Sequence, residues 1–147
     1  MFPSNKTIAY PLFIIGIVMI ICGFRWLVHP DPWLLDEVAN VERLGKTFDE
    51  VFAESTSTIP DYLRQIYRFF GLWVSIIGFF IISFSSPKLT SQEIIRKRLL
   101  FCMGIMMVMG TILGYALIPS SHFIYLMWIM NILYLFCIYN HSKINHE

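Results

Sequence analysis

Between Leu99 and Ser142 the chain contains no aspartate, glutamate, lysine or arginine for 44 residues, interrupted only by Pro119-Ser120-Ser121-His122. One membrane crossing needs about 20 apolar residues, so this stretch is predicted to cross twice as a helical hairpin. Two further uncharged runs, Thr7 to Phe24 and Phe69 to Pro87, bring the expected crossings to four. No acid falls deep within any of them, which argues against a proton- or cation-coupled carrier. Phosphate-cradling glycine loops, a Gly-x-Ser-x-Gly nucleophile motif, Cys-x-x-Cys pairs and paired histidines at haem-ligating depth are all missing. The sequence therefore implies no cofactor. His29, Asp31 and His122 lack the spacing of a metal site, so no metal is expected either.

Cysteine is scarce as well. Cys22, Cys102 and Cys137 are odd in number and lie inside apolar runs, where they read as small buried hydrophobes and not as a disulfide framework. The first apolar run has no small-x-small cleavage site, and Ile21 precedes Cys22 where a lipoprotein signal requires a small residue. A retained helix is expected in preference to a cleaved leader. With 11 basic and 10 acidic residues, the chain offers nucleic acid no electrostatic attraction.

What is present is apolar: 56% of the 147 residues are hydrophobic and only 14% charged. That balance suits an all-α, polytopic membrane protein, a single domain over 1–147 with four transmembrane helices in a bundle. The helices are expected at about 8–28, 58–86, 99–118 and 123–139. Thr58-Ile59-Pro60-Asp61 supplies the start signal of the second. The short connection between the second and third holds Lys88, Arg96, Lys97 and Arg98 against Glu93, and Lys6 and Lys143 fall on its side. The connection from His29 to Ser57 sets Arg43 and Lys46 among seven acids. Basic short loops stay inside, so both termini are expected to face the cytoplasm of what reads as a bacterial inner membrane.

The outer connection, 30–57, is expected to form two short amphipathic helices. Asp31-Pro32-Trp33 opens the first, Leu34, Leu35, Val38, Val41 and Leu44 recur at helical spacing, and Gly45 stops it. Thr47 and Glu50 have capping-box spacing for the second. Trp33, Phe48 and Phe52 would anchor this segment while its acids face water.

On the second crossing, Asp61, Arg64, Gln65, Arg68, Gly71, Ser75 and Gly78 fall on one stripe, charged at the outer end and small deeper in. Arg25 and His29 at the end of the first helix, and His122 between the third and fourth, lie at a similar height. The ligand-binding candidates are therefore Arg25, His29, Asp61, Arg64, Arg68 and His122. They are expected to form either an outward pocket for an anionic group or an ion network tying the loop to the helices. Gly71, Ser75, Gly78, the Gly110-x-x-x-Gly114 pair and Asn131 are assigned to helix packing. Gly16/Gly23 and Gly71/Gly78 share a seven-residue step.

In chain length, in a structured segment after the first helix, and in Tyr67-Arg68-Phe69-Phe70-Gly71-Leu72 at the entry to the second, the chain resembles the small bacterial membrane proteins grouped as DoxX-like. It departs from DoxX itself in lacking glycine-rich helices. The resemblance implies a four-helix membrane protein without a settled activity, in some cases a subunit of a larger redox complex, and transfers no site residues. The expected function is a non-catalytic accessory or interaction subunit, partnered by the bilayer and by another membrane protein or a second copy. The alternative is a membrane-embedded enzyme, or a small-molecule or lipid binder, using the outward-facing Arg/His cluster.

Overall fold

Backbone amides in hydrocarbon find no water, so an apolar run must close its hydrogen bonds internally, and a helix does this within one segment. In the computed structural model, which describes residues 5–53 and 58–144, every regular element among those residues is helical. Helix α1 covers Lys6–Val28. A 3-10 turn at Pro32–Asp36 leads into α2 (Glu37–Leu44), and α3 follows at Phe48–Ala53. Then come α4 (Ile59–Phe84), the single turn α5 (Pro87–Thr90), α6 (Glu93–Leu117) and α7 (Phe123–Ile144). Helices α1, α4, α6 and α7 are long and apolar enough to cross a membrane. At 22 to 26 residues each, they extend about 33–39 Å against a hydrocarbon thickness of about 30 Å.

Two helix ends differ from expectation. α6 begins at Glu93 rather than near 99, because the basic stretch is itself helical and is held down. Lys97 Nζ pairs with Glu93 Oε1 at 2.5 Å. Arg96 is buried, donating to the Thr90 carbonyl at 3.0 Å and from Nε to His141 Nδ1 at 2.9 Å. α7 runs on past Tyr139 to Ile144, with Lys143 lying 4.4 Å from the centre of the Tyr139 ring.

The glycine steps on α1 and α4 meet each other. A Cβ placed on Gly23 would stand 2.5 Å from the Gly71 carbonyl oxygen, and one on Gly78 would stand 2.7 Å from that of Gly16. The pairing of 16 with 78 and 23 with 71 makes the helices antiparallel and brings backbone against backbone at two levels, two turns apart. Ser75 lies between the levels, its hydroxyl donating to the Gly71 carbonyl at 2.9 Å. Gly110 behaves differently, since a Cβ there would meet nothing within 4 Å, and one on Gly114 would meet only the side chains of Ile124 and Met127. The α6–α7 contact is instead stitched by polar side chains: Asn131 donates to Thr111 Oγ1 at 3.0 Å, and Tyr134 to the Leu100 carbonyl at 3.0 Å.

α1 also packs on α7, whereas α4 and α6 touch only sparsely. Ile8, Leu12, Ile15, Ile81, Leu100, Met103, Met107 and Cys137 form the buried core. All but Met107, which lies just past the middle of α6, come from the half of the helices nearer the termini. There Cys137 Sγ lies 3.7 Å from the Ile8 carbonyl and Thr90 Oγ1 lies 3.5 Å from that of Asn5. The opposite, distal half is packed less fully, and the candidate site lies there.

Candidate functional site

The segment 29–53 covers the distal end and is fastened on both sides. Arg64 on α4 donates to the Pro30 carbonyl at 2.8 Å, to Asp61 at 2.6 Å and to Asp31 at 3.4 Å, and its guanidinium lies 5.7 Å from the Trp33 ring centre. The Asp31 amide donates to His29 Nδ1 at 3.1 Å. Trp33, Phe48 and Phe52 form one aromatic cluster, with ring centres 5.3 to 6.1 Å apart. On the far side Ser120 bonds Glu42, which links α2 to the α6–α7 turn.

Gly45 ends α2 with a φ of 68°, a conformation that suits a residue without a Cβ. The capping box closes reciprocally, Thr47 N–H to Glu50 Oε2 at 2.8 Å and Glu50 N–H to Thr47 Oγ1 at 3.3 Å. The Thr47 amide and the Thr47 hydroxyl, 3.0 Å from Oε2, both donate to the Glu50 carboxylate and hold it below the usual range. The expected second helix thus starts where its residues indicate, and residues 54–57 of this segment lie outside the described residues. Asp31 does not cap the first with its side chain, because that carboxylate faces Arg64.

The six ligand-binding candidates separate. Arg64, Asp61 and His29 gather around Asp31 and the Pro30 carbonyl, which is the tie between loop and helix. Arg25, Arg68 and His122 are exposed, and no bond described here joins them to that group. Ion pairs as open as Arg64–Asp61 stabilise by about 0–1 kcal/mol, so the tie positions the segment more than it strengthens the fold.

Behind the tie, between the long helices, is an apolar cavity of about 540 Å³. Met19 and Cys22 on α1, Val74 on α4, Met107 and Gly110 on α6 and Met127 on α7 contribute to its wall. Its polar members come from four elements: Trp26 on α1, Asp36 at the end of the 3-10 turn, Asn40 on α2 and Tyr67 on α4. Trp26 is clamped between Phe70 and Phe123, with centroids 4.9 and 4.8 Å away. Asn40 commits its amide to the Trp33 carbonyl at 3.0 Å and to the Tyr67 hydroxyl oxygen at 3.1 Å. Trp26 and Asp36 are each only 8% exposed, yet among the described residues Trp26 Nε1 and Asp36 Oδ1 find no hydrogen-bond partner.

The expectation that the acids of this segment face water therefore fails at Asp36. Pro32, Trp33, Asp36, Ala39 and Asn40 recur at three- and four-residue steps and form the inward face. The Trp33–Asp36–Asn40 spacing was the available signal, masked by the neighbouring acids Glu37 and Glu42, which are exposed. Trp26 is both packed between aromatic rings and a wall residue. Among the described residues, no three His, Cys, Asp or Glu side chains gather as a metal site would require. The chain matches no protein-family model, no curated protein and no solved structure.

Proposed function

We propose that the protein is a multi-pass membrane protein that binds one small hydrophobic molecule in its distal interhelical cavity, without chemistry of its own. The observation that carries this reading is the cavity itself, about 540 Å³ of space between the long helices walled largely by apolar side chains. The volume lies within the roughly 300–1,000 Å³ range of small-molecule sites. In this reading both termini and the Lys88–Arg98 segment face the cytoplasm and the cavity lies toward the outer leaflet. At the entry to α4, Tyr67 and Phe70 line the cavity while Gly71 packs on α1.

Gly110 offers the test. It lines the cavity and has open space where a side chain would grow. Protein isolated in a mild detergent is expected to carry a molecule at about one equivalent, enriched over its abundance in the membrane, detectable by mass spectrometry of the solvent extract. Gly110→Leu should lose it while remaining folded and helical by circular dichroism. Extracts that match the bulk lipid composition in both proteins would refute the reading.

A further inference from the structure

We infer that the occupant is a bilayer lipid held by one hydrocarbon chain, which enters the cavity sideways between α4 and α6 while its head group stays outside. This rests on the cavity being a binding site, and adds the route into it and the part of the ligand it takes. Along the helix axes the cavity is closed at both ends. Toward the termini, the buried side chains of Ile81, Leu100 and Met103 fill the space between the helices. At the distal end the Trp26 ring, wedged between Phe70 and Phe123, bridges α4 and α7, and the Asn40–Tyr67 bond fastens α2 to α4.

The sides are not alike. α1 is locked to α4 at Gly23 and Gly71, α1 packs on α7, and α7 is bonded to α6 through Asn131 and Thr111. Only sparse contact joins α4 to α6. Among the described residues of the wall, those that are exposed are Phe70 on α4 and Gly110, Leu113 and Leu117 on α6; none comes from α1 or α7. At 3.6 residues per turn Leu113 stands nearly opposite Thr111, the residue that bonds α7, so it marks the free edge of the wall. The space therefore opens between two apolar helices onto hydrocarbon, and not along the bundle toward water.

Length and surface name what fits. From Ile118 to Met106 the wall follows α6 for about 18 Å at about 1.5 Å per residue. One leaflet of a hydrocarbon core about 30 Å thick spans about 15 Å. A lipid chain lying along α6 thus keeps the depth it has in the bilayer and crosses no polar layer as it enters. Methionines from α1, α6 and α7 line its path, and thioethers adapt to straight or methyl-branched chains alike. The polar wall residues offer a head group no place: Asn40 bonds Tyr67, and Trp26 Nε1 and Asp36 Oδ1 are closed to water. Selection falls on the chain, so the lipid retained by the isolated protein should be enriched in one chain type under mixed head groups. Whether that chain is acyl or isoprenoid is read from the same extract.

The test places the full chain in phosphatidylcholine nanodiscs with traces of three photoreactive phosphatidylcholines. Two carry a diazirine on one chain, near the ester or near the methyl end, and the third carries it on the head. After irradiation, adducts are mapped by mass spectrometry. Moving the diazirine from ester to methyl end should shift the adducts from Ile118 and Phe123 to Met107 and Met130, and the head-tagged lipid should label none of the four. Gly110→Leu should lose the Met107 adduct and keep those on outward residues such as Ile105 and Ile132. The comparison among probes on the unaltered protein stands even if that variant folds poorly.

Chain-tagged adducts confined to outward residues, or a Met107 adduct from the head-tagged lipid, would overturn the inference. So would a retained lipid enriched by its head group whatever its chain. A molecule that still co-purifies and is lost in Gly110→Leu would then leave the cavity reading standing, and the absence of one would remove both.

Discussion

Replacing Gly23 by alanine adds one methyl group where the backbone of α4 already stands. Its carbon would lie 2.5 Å from the Gly71 carbonyl oxygen and 2.7 Å from the Ser75 amide nitrogen, while real Cβ atoms essentially never come within 3.0 Å of a neighbour. Neither neighbour is the flexible end of a side chain, so the helices must part by about half an ångström or more. Overpacking of this kind costs about 1–3 kcal/mol. Alanine also favours the helix by about 1 kcal/mol over glycine, which would obscure the measurement if it stood alone. Gly110→Ala gains the same propensity and meets no atom within 4 Å. The difference between the two variants therefore isolates the steric term, and Gly23→Ala should be the less stable by about 1–3 kcal/mol. Reversible unfolding in mixed micelles of increasing sodium dodecyl sulfate, followed by circular dichroism, measures it. Once the seam has opened, Gly71→Ala added to Gly23→Ala should cost much less than it does alone, because the two share one contact. Equal stability of Gly23→Ala and Gly110→Ala would refute the backbone-to-backbone packing of α1 on α4.

Arg96→Lys should destabilise by about 1–3 kcal/mol in the same assay, because an ammonium cannot reproduce the fork that reaches both Thr90 and His141; no change would mean that this end of the fold does not depend on it. Glu50 has a carboxyl pKa held below its unfolded value by the Thr47 amide and hydroxyl. Its contribution to the start of α3 is therefore present above the unfolded pKa and lost as pH falls through the folded one. Amide exchange at Thr47, corrected for the intrinsic rate, should lose protection over that acidic interval, and Glu50→Gln, which keeps a box-closing side chain, should abolish the pH step. A step that persists in Glu50→Gln would assign it to another acid.

How much could be read in advance depended on how local the controlling physics is. A bilayer-length run without charge is a one-dimensional property, so the four long apolar helices were visible from Leu99–Ser142 and the two earlier runs. Gly45 and the Thr47/Glu50 box are equally local. The seam between α1 and α4 was half visible: the seven-residue steps stand in the sequence, but only the folded chain shows that Gly16 meets Gly78 and Gly23 meets Gly71. The same vocabulary at Gly110 and Gly114 produces no backbone contact. A glycine pair permits close approach, and whether a helix comes is decided elsewhere. Arg96 misled in a related way. Four basic residues in a short span read as an exposed loop, whereas the bond from Arg96 to His141, 45 residues away, draws that stretch into α6. Asp36 was hidden most completely, because its burial depends on the segment 29–53 being fastened over the helix ends by Arg64.

The two halves of the protein show the same materials used in opposite ways. Near the termini, close-fitting Ile, Leu and Met side chains and a buried cysteine leave little space, and the buried polar groups there, Arg96, Thr90 and Ser85, have partners. At the distal end, α1 and α4 remain locked at Gly23 and Gly71, so the gap cannot close from that side. The gap therefore lies between this rigid pair and the α6–α7 hairpin, where α4 and α6 barely touch. A fold that only needed to be stable would fill such a space, since each unfilled volume forfeits dispersion contacts. Here the space is instead bounded by thioethers and aromatics. Rigid helices on one side and a fastened cover above keep that space open.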